Sequence, residues 1–239
     1  NISKYISHMA PCIEVVGYRQ RKKGITSFGD LCSDFGANVK FLVGSIKKLK
    51  EKEPFYASVY KKNLLKSGKK VKINKSTLGI ELEVCYQVKK TFFTSKGLVT
   101  MKNISKHILN MATCIEVVGY RQRKKGITSF GDLCSDFGAN VKFLLGNKKK
   151  YKKINIGNLR TNISNKKINL NVDGNTNSVY INPLNSLKFV LNKLKKDKIN
   201  IDKNFWVFTG STVGVVPIKG KGIYKGYIEK LGSVKAIIN

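Results

Sequence analysis

Acidic residues are scarce in this sequence. Of its 239 residues, 14 are Asp or Glu and 46 are Lys or Arg, which gives a formal net charge of +32 at pH 7. Such a charge is typical of proteins that bind nucleic acid or anionic membranes. It also arises on any fold from an AT-rich coding bias, because the excess is mostly Lys scattered among many Asn and Ile residues. We find no ribonucleoprotein signature, zinc-finger spacing or basic stripe with aromatic residues, so we expect no specific nucleic-acid partner.

Long apolar runs and metal-binding cysteine motifs are absent as well. The sequence has no run of about 18 apolar residues and no leader pattern, so we expect neither a membrane partner nor secretion. The five cysteines form no CxxC motif and no Cys/His cluster, which argues against a zinc site. Their odd number, in a chain of this size, indicates reduced thiols and a cytoplasmic protein.

A near-identical repeat is the most informative feature that is present. Residues 1–44 and 103–146 align without a gap and differ only at these pairs of positions: Tyr5/His107, Ser7/Leu109, His8/Asn110, Pro11/Thr113 and Val43/Leu145. Two copies this far apart do not indicate a solenoid, in which adjacent copies stack on one another. We therefore expect one copy to be the one that the fold needs and the other to be a duplicate.

Most of the remaining pattern predicts β structure. TLGIELEVCYQV alternates along its length, and each repeat contains the apolar strand CIEVVGY. Apolar residues at helical spacing over 104–111 predict a short helix, and Asn182-Pro183 predicts the start of another. Asp173-Gly174 is a predicted turn. Together these elements indicate an α+β protein in which a mixed sheet rolls on itself, with a few flanking helices.

Two glutamates in an apolar strand are the strongest chemical signal. Glu81 and Glu83 lie two residues apart, so both carboxylates project from one face of the strand. Burying two like charges together is costly unless a cation neutralises them, although an exposed edge strand would also explain the pattern. Glu116 lies in the second apolar strand, CIEVV, and a third carboxylate of this kind favours the cation. All-oxygen ligands suit Mg²⁺, Mn²⁺ or Ca²⁺.

These residues resemble the 2-keto-4-pentenoate hydratase / 4-oxalocrotonate decarboxylase family of the fumarylacetoacetate hydrolase superfamily. That family carries an E-x-E on one strand and a third Glu further along, in a segment like PAIEIVDSR. Here IELEV supplies Glu81 and Glu83, and ATCIEVVGYR supplies Glu116, with Arg121 on the arginine of the segment. Other similar stretches are EPFYASVYKKNLLKSGKKV, the FLLG at 143–146, Gly174 with Pro183, and FTGSTVGVVPIKGKGIYKGYIEKLGSVKAII.

The resemblance implies a fold, a cofactor and a reaction. The fold is a fumarylacetoacetate hydrolase-like β-roll, and the cofactor is Mg²⁺ or Mn²⁺ held by Glu81, Glu83 and Glu116. The reaction is the addition of water to 2-hydroxypenta-2,4-dienoate (2-oxopent-4-enoate), giving 4-hydroxy-2-oxopentanoate in aromatic meta-cleavage degradation. Candidate substrate contacts are Thr209 and Ser211 in the TGS turn, and Arg121, which could instead pair with a structural acid.

The resemblance also divides the chain and leaves alternatives open. It covers residues 53–239 as a catalytic domain, whereas residues 1–52 duplicate 103–146 and take the place of the family's N-terminal helical region. The family's lysine motif, G-[FYW]-K-[IV]-G-x-T, is missing from the sequence. The alternatives are therefore a 4-oxalocrotonate-type decarboxylase and a catalytically impaired relative. The expected partners are a small anionic 2-oxo or 2-hydroxy-dienoic acid and either further copies of the chain or a related decarboxylase or hydratase.

Overall fold

The computed structural model describes residues 56–120, 133 and 136–239, together with the backbone of four short strands nearer the N terminus. The chain divides into two compact units, Asn1–Glu53 and Pro54–Asn239. Arg121 lies outside the described residues. Among the described residues, no helix is long and apolar enough to cross a membrane.

The first unit contains two small antiparallel sheets. Its strands are β1 (His8–Met9), β2 (Cys12–Val16), β3 (Asn38–Val43) and β4 (Lys47–Lys48). β1 pairs with β4, and β2 pairs with β3.

The second unit is built from two larger sheets. Its strands are β5 (Leu64–Lys66), β6 (Lys70–Val71), β7 (Thr77–Val88), β8 (Ile108–Gly119), β9 (Asn140–Leu145), β10 (Lys149–Lys150), β11 (Arg160–Asn165), β12 (Leu170–Asn175), β13 (Phe205–Ser211), β14 (Val216–Pro217), β15 (Gly222–Ile228) and β16 (Gly232–Ile238). The first sheet has the order β13-β7-β8-β9-β5, with β14 on β7 and β10 on β8, and the second has the order β12-β11-β15-β16-β6. Both sheets mix antiparallel and parallel pairs, which confirms the predicted mixed-sheet α+β fold.

The long strands β7 and β8 form the centre of the first sheet. Alternation along β7 directs Leu82, Val84, Tyr86 and Val88 into the main core, where all four are fully buried. The opposite face carries Glu81, Glu83 and Cys85. The second sheet packs against the core side so closely that a Cβ on Gly226 would lie 2.4 Å from Leu82 Cδ1. Glycine at 226 therefore allows the two sheets to approach each other.

One α-helix covers the core. Helix α1 (Pro183–Lys196) begins as predicted, because the Asn182 side chain accepts a hydrogen bond of 2.9 Å from the Leu184 N–H and proline takes the first position. Its buried face includes Leu187 and Leu191. Short 3₁₀ turns at Lys90–Phe92, Lys166–Ile168 and Thr176–Ser178 precede the helix in the chain.

Two local predictions were wrong. The residues expected to form a helix over 104–111 form a 3₁₀ turn at Ile104–His107 and then the first residues of β8. Their apolar side chains are needed in the sheet, and this tertiary burial overrides the helical spacing. Asp173 and Gly174 lie inside β12 and not in a turn; the hairpin turns instead at residues 166–169, where Asn169 adopts a left-handed conformation.

The two copies of the repeat form the same hairpin. The strand pairs are offset by the repeat spacing throughout: Cys12↔Val43 and Cys114↔Leu145, Val16↔Asn38 and Val118↔Asn140, His8↔Lys48 and Asn110↔Lys150.

One of the five sequence differences between the copies bears on which copy suits the large sheet. Thr113 lies in the middle of β8, where its hydroxyl donates a buried hydrogen bond of 2.9 Å to the Gly232 carbonyl. The first copy has Pro11 at this position. Proline has no hydroxyl or N–H to donate and is confined to sheet edges and bulges, so it does not suit a strand that is paired on both sides. The second copy is therefore the one that fits between β7 and β9.

Candidate metal centre

The sheet register brings the three predicted glutamates together. Glu81 on β7 pairs directly with Glu116 on β8, and Glu83 follows Glu81 by two residues on the same face. Each glutamate offers one carboxylate oxygen, and these three oxygens lie within 4.8 Å of one another. Directly opposed like charges destabilise a strand pair, so this arrangement is unfavourable without a positive charge.

Burial increases this cost. Glu83 and Glu116 are 2% and 7% exposed, and Glu81 is partly exposed. Among the described residues, neither Glu81 nor Glu83 forms an ion pair. Glu83 Oε2 is buried and has no hydrogen-bond partner within the described part of the chain. A buried carboxylate oxygen without a partner is the atom that a bound cation would satisfy.

The electrostatic environment raises the pKa of both β7 glutamates. Burial, followed by the nearby charge of Glu83, raises the pKa of Glu81 to about 7. Burial also raises the pKa of Glu83, and hydrogen bonds from the Glu116 side chain and from the backbone N–H groups of Gly210 and Thr209 oppose this rise. The Glu83 carboxylate therefore accepts hydrogen bonds from its neighbours, although its burial in the sheet disfavours the negative charge.

The TGS turn lies beside Glu83. Strand β13 pairs with β7, and a bulge between Phe208 and Ser211 places Ser211 opposite Glu83. The Thr209 hydroxyl donates 2.8 Å to the Val84 carbonyl, and the Ser211 hydroxyl donates 2.9 Å to the Gly214 carbonyl. Both predicted side chains thus lie next to the glutamates, and both hydroxyls hold the bulge in shape. Arg121, the third predicted substrate contact, is among the residues that the structure does not describe.

Sequence reasoning missed the backbone contribution of the bulge. Gly210 has a φ of +107°, a conformation that favours glycine, and its N–H faces Glu83. Thr212 also anchors the bulge, since its N–H and its hydroxyl donate 2.8 and 2.9 Å to the Leu82 carbonyl. The glycine between two hydroxyl residues was the available signal, because a glycine within a strand pattern often marks a bulge.

An apolar cluster continues from the glutamates along the same face. Its buried members are Cys85, Ala112, Cys114 and Phe143, and Trp206 and Phe208 pack against them. Cys114 pairs with Glu83, and Phe143 pairs with Glu116. Burial, then its hydrogen bond to Cys85 and the nearby carboxylates, raises the pKa of the Cys114 thiol. The Cys114 thiol therefore stays protonated and acts as a small apolar side chain.

The donor set fits a hard divalent cation. The three candidate ligand atoms are carboxylate oxygens, and the two thiols beside them donate hydrogen bonds to backbone carbonyls. Mg²⁺, Mn²⁺ and Ca²⁺ prefer oxygen ligands and leave room for water or substrate oxygens when only three protein ligands are present.

Comparison with solved structures identifies the fold. The 4-oxalocrotonate decarboxylase from Pseudomonas putida G7, solved with magnesium and adipate, matches with a TM-score of 0.62 and 17% identity over 90% of this chain and 75% of that chain. The chain shares the fold of this enzyme. The same enzyme solved with calcium and acetate gives a TM-score of 0.61 at 17% identity over 90% and 74% of the two chains.

A second enzyme has a more distant likeness. The 5-carboxymethyl-2-hydroxymuconate delta-isomerase from Mycobacterium smegmatis matches with a TM-score of 0.51 and 13% identity over 73% of this chain and 64% of that chain. No protein-family profile matches the sequence, and no curated protein matches it. The fumarylacetoacetate hydrolase-like fold predicted from the sequence is thus confirmed by structure.

Proposed function

We propose that this protein is a divalent-metal-dependent enzyme of 2-oxo acids, and that it adds water to 2-hydroxypenta-2,4-dienoate. The observation that carries the proposal is the convergence of Glu81, Glu83 and Glu116 within 4.8 Å of one another on a largely buried sheet face. Folding places these three acids together at an electrostatic cost, and a bound cation offsets that cost. The likeness to an enzyme solved with magnesium supports Mg²⁺ or Mn²⁺ as the cation.

The chain supplies the shape and charge of the site. The three glutamates bind the cation, and the N–H groups of Thr209 and Gly210 fix the Glu83 carboxylate. The cation, when bound, acts as a Lewis acid toward the carboxylate and the 2-oxygen of the substrate. Burial lowers the local dielectric, which strengthens these interactions relative to water.

The proposed hydration has two steps. The dienol loses the proton of its 2-hydroxyl and gains a proton at C5, which gives the conjugated ketone 2-oxopent-3-enoate. Water then adds across the C3–C4 double bond, with its oxygen on C4 and a proton on C3. The product is 4-hydroxy-2-oxopentanoate, so the enzyme class is a hydro-lyase.

Decarboxylation is a second candidate, favoured by the likeness to 4-oxalocrotonate decarboxylase. In that reaction the bond to the distal carboxyl group breaks and CO₂ leaves. The electron pair of the broken bond moves into the 2-oxo acid system. The same three glutamates serve both reactions, because each develops negative charge on the 2-oxygen. Release of CO₂ from 4-oxalocrotonate separates this candidate from the hydratase.

The first test is loss of the dienol absorbance of 2-hydroxypenta-2,4-dienoate in the presence of Mg²⁺. We expect turnover by the wild type, and loss of turnover on addition of EDTA and in Glu83→Gln. Glu14→Gln is a matched control, since the first copy repeats the CIEVV sequence outside the large sheet. If the wild type binds Mn²⁺ but catalyses neither hydration nor CO₂ release, the third candidate is supported. That candidate is an impaired relative that lacks the lysine motif.

A further inference from the structure

The outer face of the second sheet carries three lysines close together. Lys225 on β15 and Lys235 on β16 are direct cross-strand partners, and both are exposed. Lys70 on β6 is exposed as well and pairs with Ile237, which makes it a diagonal neighbour of Lys235. Directly opposed like charges destabilise a strand pair. The sheet register therefore concentrates positive charge on this face, at a cost that a bound anion would offset.

The acids near this face are already paired or lie at its far edge. Within residues 56–120, 133 and 136–239, none of the three lysines forms an ion pair or a side-chain hydrogen bond. The register places Asp173 of β12 on the same face, three strands away from β16, where its carboxylate accepts a hydrogen bond of 2.8 Å from Asn162. Glu229, just beyond β15, pairs with Arg160 at 3.7 Å. The lysine cluster is thus available to an external anion.

An exposed tyrosine accompanies the lysines. Tyr227 lies on the same face, two residues after Lys225, and is 43% exposed. Its direct cross-strand partners are Asn162 and Ser233, whose side chains are smaller than the tyrosine ring. Among the described residues, no aromatic ring packs on Tyr227 and no cation lies over it. The exposed part of the ring is therefore available to a flat partner from solution.

We propose that this face, formed by Lys225, Lys235, Lys70 and Tyr227, binds single-stranded nucleic acid. The lysines contact the phosphates, and the Tyr227 ring stacks on an unpaired base. Such a platform binds strands of any sequence, because every base has a flat face and every nucleotide carries a phosphate. The face exists only once β6, β15 and β16 have paired, so the sequence shows no basic stripe with aromatic residues.

A single strand suits this face better than a duplex does. In a duplex the flat faces of the bases are stacked inside the helix, so the Tyr227 ring would have no base to stack on. The face is also separate from the glutamates, which lie on the far side of the first sheet with the main core between them and the second sheet. This inference therefore does not rest on the proposed function.

Fluorescence anisotropy of a labelled oligothymidylate of about ten nucleotides, titrated with the full chain at several salt concentrations, tests the inference. We expect Lys225→Gln/Lys235→Gln to lower the steepness of log affinity against log salt by about 1.4, at about 0.7 per lost phosphate contact. We expect Tyr227→Leu to weaken binding at least about fivefold, the lower end for loss of one base stack, with the salt dependence unchanged.

Two matched controls separate the face from the net charge of the chain. Lys102→Gln/Lys106→Gln removes the same charge from exposed positions near the start of β8, outside the second sheet. Tyr180→Leu removes a ring that is 50% exposed just before α1. Both should keep the wild-type salt dependence and nearly the wild-type affinity. A thermal melt of each variant checks that the fold is kept, and Glu83→Gln should bind the strand as the wild type does.

The inference stands only if the losses are specific to this face. Equal losses in the lysine variant and in its control would mean that net charge alone attracts the strand, and would overturn the inference. Unchanged affinity in Tyr227→Leu would overturn it too, as would a duplex of the same length that competes as well as the single strand. Binding to phosphatidylserine vesicles without binding to the oligonucleotide would assign the face to a membrane instead. Absence of hydratase turnover would not affect any of these results.

Discussion

Replacing Glu81 by glutamine should stabilise the metal-free protein at alkaline pH. Burial and the neighbouring Glu83 raise the pKa of Glu81 from 4.5 to about 7. Between these values the folded protein binds a proton that the unfolded chain has released, so stability falls as the pH rises from about 4.5 to 7. Above pH 7 the full cost of the charge is present, and glutamine removes that charge.

The size of the effect follows from the pKa. A shift from 4.5 to about 7 corresponds to about 3 kcal/mol at about 1.4 kcal/mol per unit. For a protein of this size, 1 kcal/mol changes the melting temperature by about 2–4 °C. In EDTA at pH 8, Glu81→Gln should therefore melt up to about 6–12 °C above the wild type. At pH 5 Glu81 is already protonated in the folded state, so most of the difference should vanish.

Differential scanning fluorimetry at pH 5 and pH 8 measures this directly. Added Mn²⁺ should raise the melting temperature of the wild type by binding the folded state, and should raise that of Glu81→Gln much less. Glu229→Gln is a control for loss of an acid away from the glutamate cluster, because Glu229 forms an ion pair with the exposed Arg160 side chain and accepts a hydrogen bond of 3.2 Å from the Arg160 N–H. A wild type that is more stable than Glu81→Gln in EDTA at pH 8 would refute the reasoning.

Four further predictions test the site and the fold. Glu116→Gln should abolish Mn²⁺ binding in an electron paramagnetic resonance titration, whereas Glu14→Gln should leave it intact; equal losses would contradict the assignment of the site to β8. Mn²⁺ affinity should fall at least about tenfold from pH 8 to pH 6 in the same titration, since binding requires Glu81 to lose its proton; a flat profile would exclude Glu81 as a ligand. Thr113→Pro should lower the melting temperature by at least about 6 °C, because it removes a buried hydrogen bond and disrupts a central strand, and a melt within 2 °C or so of the wild type would contradict the role given to this position. Gly226→Ala should destabilise by about 1–3 kcal/mol in urea unfolding through overpacking against Leu82, and an unchanged midpoint would mean that the sheets are not in close contact there.

The sequence predicted the parts of the site that depend on strand periodicity. Glu81 and Glu83 share a face because side chains alternate along a strand, and Glu116 was identified by its place in an apolar strand. The sequence did not predict that Glu81 and Glu116 are direct partners, since the register between β7 and β8 depends on packing across the whole sheet. It also did not predict the contribution of Gly210, whose N–H contact depends on a bulge formed against another strand.

The elements of the fold also differ in whether local sequence or long-range pairing determines them. The helix at α1 was predictable because its cap and its apolar spacing are local features. The residues over 104–111 have helical spacing as well, yet they extend into β8, because a place between two strands buries Ile108 and Met111. Local pattern therefore predicts an element when no neighbouring strand competes for its backbone, and long-range pairing decides the remaining cases.

The identical register of the two hairpins has a consequence for folding during synthesis. Among the described residues of the first unit, the first copy forms its strand pairs without a counterpart of β7. The pairing of this hairpin is therefore encoded within the repeat itself. A contact between strands that are close in the chain costs less loop-closure entropy than one between distant strands. We expect β8–β9 to gain hydrogen-exchange protection before β11–β15 in pulse-labelled refolding, and the reverse order would contradict this. The N-terminal copy leaves the ribosome before β7 is synthesised, so its β2 can pair with its β3 first. The place between β7 and β9 is still open when the second copy emerges.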